Sequence, residues 1–233
     1  MANNLGKWAL IDIETSGINP EDDSIIDVGF IQFEGLKLKK SYSSLVKFPM
    51  TALHHTNYSK FIEKLTGITP AMLKNAPLWE EVLPEVKELF GHHLIAHNSQ
   101  FEESFLSQWL NFNLHTESDD KENVEQQETT YEDSLFFLGL LHPGHSTLKL
   151  EEFIKLYGVR DSEVHRGYED SLDLLKVMIS VSYRIKQDPM LMKKIQEVIF
   201  KYHLEDWWYT KFLHLDQSEL QELADQIQFD ISE

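Results

Sequence analysis

The sequence predicts an α/β domain built on a central mixed sheet, and three observations support this class. An apolar run at residues 8–13, WALIDI, is typical of an interior strand. Two further strand-like segments, residues 24–35 and 37–48, follow closely and predict an early meander of three strands. Amphipathic helical segments then alternate with another short apolar strand at residues 92–97, which is the pattern of a sheet flanked by helices.

The remaining elements are predicted from apolar periodicity and from turn residues. Residues 65–73, LTGITPAML, indicate a turn that enters a helix. Residues 78–90 carry a helical apolar stripe, although Pro84 lies inside it. Further helices are predicted, in order along the chain, at residues 99–112, 132–141, 147–159, 168–186, 188–203, 205–215 and 216–227.

The chain is predicted to divide into two parts. Residues 1–186 form the main domain, and residues 187–233 form a helical C-terminal extension or a linker to a further domain. Within the main domain, residues 116–133 contain eight acids and one lysine and lack an apolar period. We therefore predict a flexible surface loop at about residues 116–131.

Composition limits the classes of function. The chain has 233 residues and a formal net charge of −18, which argues against a broad basic face for duplex nucleic acid. It contains no cysteine, which excludes disulfides and thiolate zinc sites. No run approaches the roughly 18 apolar residues of a membrane span, and the N-terminus lacks the features of a signal peptide. We therefore expect a cytoplasmic protein without membrane contact.

Two carboxylates lie on one face of the first predicted strand. Asp12 and Glu14 are two residues apart, and strand side chains repeat their direction every second residue. Two like charges held close together cannot both stay ionised unless a positive group lies near them. The pair is therefore expected either at the solvated end of the strand or on a bound cation.

Two other segments carry polar side chains that could join this pair. Glu102 lies one turn into the helix that follows the strand at residues 92–97. His165 and Asp170 flank the start of the long helix, and Gly167 between them leaves room for close approach to the backbone. If these segments converge, four carboxylates and one histidine meet. Their hard oxygen ligands favour two Mg²⁺ or Mn²⁺ ions over zinc.

These segments resemble the motifs of the DEDDh 3′→5′ exonucleases. DIETSG at residues 12–17 resembles D-x-E-T-[TS]-G, HNSQFEESFL at 97–106 resembles H-N-x-x-F-D-x-x-F-L, and HRGYED at 165–170 resembles H-x-A-x-x-D. LTGITPAML between the first two resembles the family's L-T-G-I-t-x-x-M-L. The four motifs occur in the family's order over about residues 7–180. The resemblance implies a ribonuclease H-like fold, with a central mixed five-stranded sheet flanked by helices and a helical C-terminal extension.

The resemblance also implies a catalytic role for each of five residues. Asp12 would bridge two divalent metal ions, and Glu14 and Asp170 would complete the tighter of the two sites. Glu102 would hold the second ion through water. His165 would be the general base that accepts a proton from the attacking water.

Four further residues are implied in binding the substrate, a single-stranded DNA or RNA 3′ end. The backbone around Thr15 and Gly17 would meet the terminal nucleotide. Asn98 and Phe101 would shape the wall formed by the second motif. Family members also occur as subunits or domains beside polymerases and helicases, which implies such a partner or a fused domain.

Two positions depart from the family's pattern. Glu102 stands where the family usually has aspartate, so its carboxylate is displaced by about one bond length, and Mg²⁺ demands strict geometry. This change predicts a weaker second site or a preference for Mn²⁺ if the contact is direct. Gly167 replaces the usual alanine, a change that we expect to be harmless.

Each of these residues could instead have an ordinary structural role. Asp12 and Glu14 could be solvent-facing acids at a strand end, and Glu102 could be a surface acid of its helix. His165 could be a loop histidine bonded to the backbone, Asp170 an acid that stabilises a helix N-terminus, and Asn98 a helix N-cap.

Three functional hypotheses follow. The first is a two-metal 3′→5′ exonuclease that releases nucleoside 5′-monophosphates, with DNA weakly favoured over RNA. The second is a nuclease fold with impaired chemistry that binds nucleic-acid ends or recruits a helicase or polymerase. The third is a motor-associated domain of a longer polypeptide, although the chain has no G-x-x-x-x-G-K-[ST] phosphate loop of its own. An oxidoreductase is excluded because no G-x-G-x-x-G follows a strand.

Overall fold

A computed structural model describes residues 5–48, 60–114 and 129–231, without the side chains of residues 110–114. Its strands are β1 (Lys7–Thr15), β2 (Ile25–Glu34), β3 (Lys37–Leu45), β4 (His93–Ala96) and β5 (Thr130–Asp133). Its helices are α1 (Lys60–Thr66), α2 (Pro70–Lys74), α3 (Trp79–Lys87), α4 (Gln100–Leu114), α5 (Ser134–Leu141), α6 (Leu150–Leu156), α7 (Gly167–Gln187), α8 (Pro189–Lys201), α9 (Trp208–Leu213) and α10 (Gln217–Gln226).

The five strands form one mixed sheet in the order β3-β2-β1-β4-β5. The pairs β1–β2 and β2–β3 are antiparallel, whereas β1–β4 and β4–β5 are parallel. This arrangement confirms the predicted α/β class, the early meander and the ribonuclease H-like sheet of five strands. Helices cover both faces, so the central strands are buried, as parallel pairing requires.

Alternating residues of β1 serve two separate cores. Trp8 and Leu10 pack on the face covered by α7, and the Trp8 ring stacks on Phe33 at 4.3 Å between centroids. Ile11 and Ile13 pack on the opposite face, against α3 and α4. Asp12 and Glu14 share the α7 face by this alternation, just beyond the apolar part of the strand.

The resemblance implied a fifth strand, but its position was not predicted. Residues 130 and 131 were predicted as loop and residues 132–141 as a helix, whereas Thr130–Asp133 pair in parallel with β4. Pairing with a neighbouring strand therefore determines this element, because its sequence, TYED, has little apolar character of its own. The rest of the predicted loop, residues 116–128, lies outside the described residues.

The C-terminal extension contributes to the same core as the sheet. Trp208 is buried with its indole N–H donating to the Leu5 carbonyl at 3.2 Å, and its ring lies 5.2 Å from that of Trp8. Gln226 of α10 accepts a hydrogen bond from the Leu38 amide at 2.8 Å, next to the β2–β3 turn. The predicted role of residues 187–233 as a linker to a further domain stays a prediction. None of the helices in the described ranges has the length and apolar character that a membrane crossing requires.

Candidate active site

The candidate site lies where the last residues of β1 meet the first turn of α7. Gly167, the first residue of α7, lies directly on the sheet: a β-carbon there would be 2.5 Å from the Asp12 carbonyl oxygen. It would also be 2.6 Å from the Gly29 amide nitrogen of β2. The space beside Gly167 is therefore occupied by the backbone of β1 and β2, and this contact holds α7 close to Asp12.

Glu14, His165 and Asp170 form a compact cluster. One ligand atom from each lies within 4.8 Å of the other two. Asp170 is 2% exposed, and its carboxylate accepts hydrogen bonds from the amides of Arg166 at 2.7 Å and Val164 at 3.4 Å. Its two oxygens thus hold the backbone on both sides of His165.

Glu102 is buried at the start of α4. It is 3% exposed, and its Oε2 atom is buried without a hydrogen-bond partner among the residues that the structure describes. This burial rules out a surface helix acid. An uncompensated carboxylate oxygen in the protein interior is unfavourable unless the group is protonated or meets a cation.

The carboxylates of the site raise one another's proton affinity. Burial, followed by the charges of Glu102, Glu14 and Asp170, raises the pKa of Asp12 well above its usual range. Burial and the charge of Asp170 raise the pKa of Glu14 to about 8, and burial raises that of Asp170 to about 6. Burial, with the charges of Asp133 and Glu14, raises the pKa of Glu102 to about 8. Asp12 and Glu14 are half-buried and lie among other acids, so they are not independent acids of a solvated strand end.

His165 lies at the edge of this cluster and is partly exposed. Burial lowers the pKa of its imidazole, while the charge of Glu151 opposes that effect. Its ring makes no hydrogen bond to any residue within the described ranges, which argues against a histidine fixed to the backbone. A neutral imidazole beside two carboxylates can accept a proton.

The four predicted substrate-binding residues lie on two segments around the carboxylates. The Thr15 hydroxyl donates to the Gly17 carbonyl in the turn that follows β1. Asn98 has a φ of 75°, and its backbone amide donates a hydrogen bond to Asp133 Oδ1 at 3.0 Å. It is therefore not a simple helix N-cap. Phe101 packs against the core of α4. Their contact with a nucleotide stays a prediction.

Three polar residues of this region were missed from the sequence. Asp27 of β2 is fully buried and pairs with Arg166, with Nε and Oδ2 2.8 Å apart. Burial, then the charge of Asp170, raises the pKa of Glu163 to about 7. The isolated acid in the apolar run IIDVGF was the available signal for Asp27. Sequence alone offers no comparable signal for Arg166 or Glu163.

The residues present fit a divalent cation. Glu14 and Asp170 together offer two carboxylate oxygens at a spacing that one ion can bridge, and the imidazole of His165 lies within 4.8 Å of both. The unpartnered Oε2 of Glu102 offers a further buried oxygen. Hard oxygen donors in this number suit Mg²⁺ or Mn²⁺.

Comparison with protein families gives a match over most of the chain. The RNase_T family model, described as Exonuclease, matches residues 9–178 and so includes every residue of the candidate site. The DNA polymerase III PolC-type protein of Caldanaerobacter subterraneus subsp. tengcongensis is 30% identical over 197 residues. The DNA polymerase III subunit epsilon of Aquifex aeolicus is 27% identical over 216 residues, and the 3′-5′ exonuclease DinG of Staphylococcus saprophyticus is 24% identical over 230.

The relatives differ greatly in size. The chain covers 93% of the epsilon subunit but only 12% of the PolC-type protein and 23% of DinG. Among solved structures, E. coli exonuclease I in complex with a dA16 oligonucleotide is similar to this chain, with a TM-score of 0.60 and 16% sequence identity. The similarity covers 93% of this chain and 45% of the exonuclease I chain. A 3′-exonuclease that recognises a histone mRNA stem-loop is also similar, over 78% of this chain and 64% of the exonuclease chain, with a TM-score of 0.55 and 21% sequence identity. These two likenesses establish the fold.

Proposed function

This chain belongs to the exonuclease family, and we propose from that premise that it is a metal-dependent 3′→5′ exonuclease acting on single-stranded nucleic acid. The observation that carries the proposal is the cluster of Glu14, His165 and Asp170 within 4.8 Å, with Asp12 and Glu102 coupled to it electrostatically. The three segments that supply these residues are far apart in sequence, so their convergence favours a shared chemical task.

The residues of the site suit two divalent cations, Mg²⁺ or Mn²⁺. Asp12, Glu14 and Asp170 would hold one ion and Glu102, with Asp12, the other. When bound, such ions supply Lewis acidity that activates the attacking water and stabilises the leaving oxygen. Because their positive charge favours ionised carboxylates, cation binding would reverse the high proton affinity of Glu14 and Glu102.

His165 is the proton acceptor in this proposal. A water molecule attacks the terminal phosphodiester in line with the leaving 3′ oxygen, and its proton passes to a ring nitrogen of His165. The bond between phosphorus and that 3′ oxygen breaks, so a nucleoside 5′-monophosphate is released. The lowered pKa of the imidazole keeps His165 neutral, and therefore ready to accept the proton, at neutral pH.

The substrate is proposed to be a single-stranded end, with DNA weakly favoured over RNA. The relatives named as DNA polymerase III proteins support DNA. The net charge of −18 disfavours extended contact with many phosphates, so binding should be weak and should depend only shallowly on salt. A polymerase partner is proposed from the same relatives, and the resemblance to the DEDDh exonucleases extends the proposal to a helicase or to a fused domain of either kind.

Degradation of a 5′-labelled single-stranded DNA and RNA pair tests the proposal. The wild-type protein, with Mg²⁺ and then with Mn²⁺, should shorten the oligonucleotide from its 3′ end, and Asp12→Ala should abolish this activity. Glu103→Gln, which changes an exposed acid next to Glu102, is the matched control and should retain the cleavage activity. Cleavage by Asp12→Ala at the wild-type rate would show a contaminating nuclease.

The second candidate is a nuclease fold with impaired chemistry, favoured by Glu102 in place of the usual aspartate. Binding of the labelled 3′ end without cleavage, in folded protein and with either metal, would support it. The variant Glu102→Asp then distinguishes the cause. Recovery of cleavage in this variant would assign the defect to the extra methylene, whereas no recovery would assign the protein to binding or recruitment.

A further inference from the structure

His165 is held in an unusual backbone conformation. Its φ is 57°, in the left-handed region, which costs a residue other than glycine about 1 to 2 kcal/mol. Such a conformation persists only where its surroundings hold it in place. The position of the imidazole therefore depends on what fixes the residues on either side.

One side of this restraint comes from α7. Asp170 accepts hydrogen bonds from the amides of Val164 and Arg166, the two neighbours of His165. Asp170 also belongs to the proposed cation site, so its carboxylate serves two purposes. A second anchor that is independent of the cation would keep the loop in place before any ion is bound.

That second anchor is Asp27 on β2. Its Oδ2 atom accepts a hydrogen bond from Arg166 Nε at 2.8 Å and from the Gly167 amide at 3.3 Å. One buried oxygen thus holds both the side chain of the residue after His165 and the first amide of α7. Asp27 is also the register partner of Glu14 across the β1–β2 pair, so it lies beside the site.

The arrangement at Asp27 is a poor one for stability alone. Asp27 is completely buried, and its second oxygen, Oδ1, has no hydrogen-bond partner in the part of the chain that the structure describes. Buried ion pairs often contribute less to stability than apolar side chains of the same size. An apolar residue, however, could not hold the guanidinium and the amide at fixed distances. The pair is therefore better explained by geometry than by stability.

We propose that Asp27 and Arg166 form a positioning pair that fixes His165 in the orientation needed for proton transfer. Neither residue is proposed to touch the reacting atoms. The inference rests on the proposed role of His165 as general base, and it adds a residue from β2 to a site otherwise built from β1, α4 and the start of α7.

Two variants test the pair, and one variant serves as a control. Asp27→Asn keeps the shape but loses the charge, and Arg166→Met keeps the length of the stem but loses the donors. Each should lower kcat about 10- to 100-fold, because a displacement of about 1 Å in a catalytic group has an effect of that size. KM should stay within about twofold, since no substrate contact is removed.

The control is Asp173→Asn. Asp173 is equally buried on α7 and is ion-paired with Arg160 at 3.0 Å and Lys176 at 3.1 Å. It tests the loss of a buried ion pair that reaches the same loop at Arg160, five residues before His165, without a hydrogen bond to Val164, His165 or Arg166, and its kcat should stay within about threefold of the wild type. The double variant of Asp27 and Arg166 should lose no more activity than either single variant if the pair acts as one unit.

A second measurement does not need cleavage. In protein labelled with ¹³C-histidine, the His165 Cε1–H resonance, assigned with His165→Gln, should shift in Asp27→Asn and stay in place in Asp173→Asn. Unchanged kcat, a rise in KM alone, or an unmoved His165 resonance in Asp27→Asn would each overturn the inference. If the wild type does not cleave, the proposed function fails, and the resonance still decides the positioning role. If Asp27→Asn loses its cooperative thermal transition, Arg166→Met decides by the same two readouts.

Discussion

Removing the charge of Glu102 should stabilise the protein when no divalent cation is present. Burial is the main cause of the rise in its pKa from an ordinary 4.5 to about 8. At 1.36 kcal/mol for each tenfold change in proton affinity, this rise corresponds to roughly 5 kcal/mol against the ionised form. The charges of Asp133 and Glu14 are part of that cost, so we expect Glu102→Gln to gain about 2 to 5 kcal/mol once the carboxylate would be ionised.

The gain should depend on pH in a defined direction. Because the pKa of Glu102 is higher in the folded protein, the folded state holds the proton more tightly. Stability of the wild type is therefore lost as the pH rises from 4.5 towards 8. Glutamine has no proton to lose, so Glu102→Gln should match the wild type at about pH 4 and exceed it at about pH 9.

Urea denaturation in EDTA, followed by tryptophan fluorescence at several pH values, measures this difference. Glu103→Gln, the exposed neighbour on the same helix, should show no such pH-dependent gain. Added Mn²⁺ should stabilise the wild type at alkaline pH and stabilise Glu102→Gln less, because one ligand is missing. A variant that is less stable than the wild type at about pH 9 in EDTA would refute the reasoning.

Three further predictions follow from the site and its supports. Burial lowers the pKa of His165, so the acid limb of the kcat/KM pH profile should lie below pH 6.5 when saturating Mn²⁺ keeps the carboxylates of Glu14 and Glu102 ionised; a limb above that value in saturating Mn²⁺ would remove His165 as the base. Gly167→Ala would place a β-carbon 2.5 Å from the Asp12 carbonyl oxygen, and it should lower the free energy of unfolding in urea by about 1 to 3 kcal/mol. An unchanged free energy of unfolding would show that α7 moves away from the sheet without loss. Asp133→Ala removes the acceptor that caps α5 at the Leu135 amide and also holds the Asn98 backbone amide. At about pH 6, where protonated Glu102 no longer repels Asp133, the change should cost about 0.5 to 2 kcal/mol in thermal denaturation, and an unchanged midpoint would refute the role of the cap.

Local sequence determines much of this fold. The apolar runs of β1 and β2 and the helical stripe of α7 predicted their elements, because burial follows the pattern of apolar residues. Strand β5 was missed because its four residues gain their conformation from pairing with β4, which no local pattern records. The helical extension was predicted, but its packing against Trp8 joins residues about 200 positions apart and could not be read from periodicity.

Only those parts of the candidate site that lie in short motifs could be predicted from the sequence. Asp12, Glu14 and Asp170 lie in such motifs, and the spacing of Asp12 and Glu14 on a strand predicted that they share one face. Asp27 and Arg166 are 139 residues apart, so their hydrogen bond depends on how α7 docks on the sheet. A single sequence does not contain that docking geometry, and the supporting residues of the site were therefore missed.

The charges of the site link cation binding to nucleic-acid binding. Asp12, Glu14, Glu102 and Asp170 would repel the phosphates of an approaching strand as they repel one another. Arg166 is the cation that acts on Glu14, and its Nε is already bonded to Asp27. Under the proposed function, a divalent cation would relieve both repulsions at once, so it would stabilise the folded site and the bound 3′ end by the same charge. By thermodynamic reciprocity, bound nucleic acid must then raise the affinity for the cation by the same factor by which the bound cation raises the affinity for the nucleic acid.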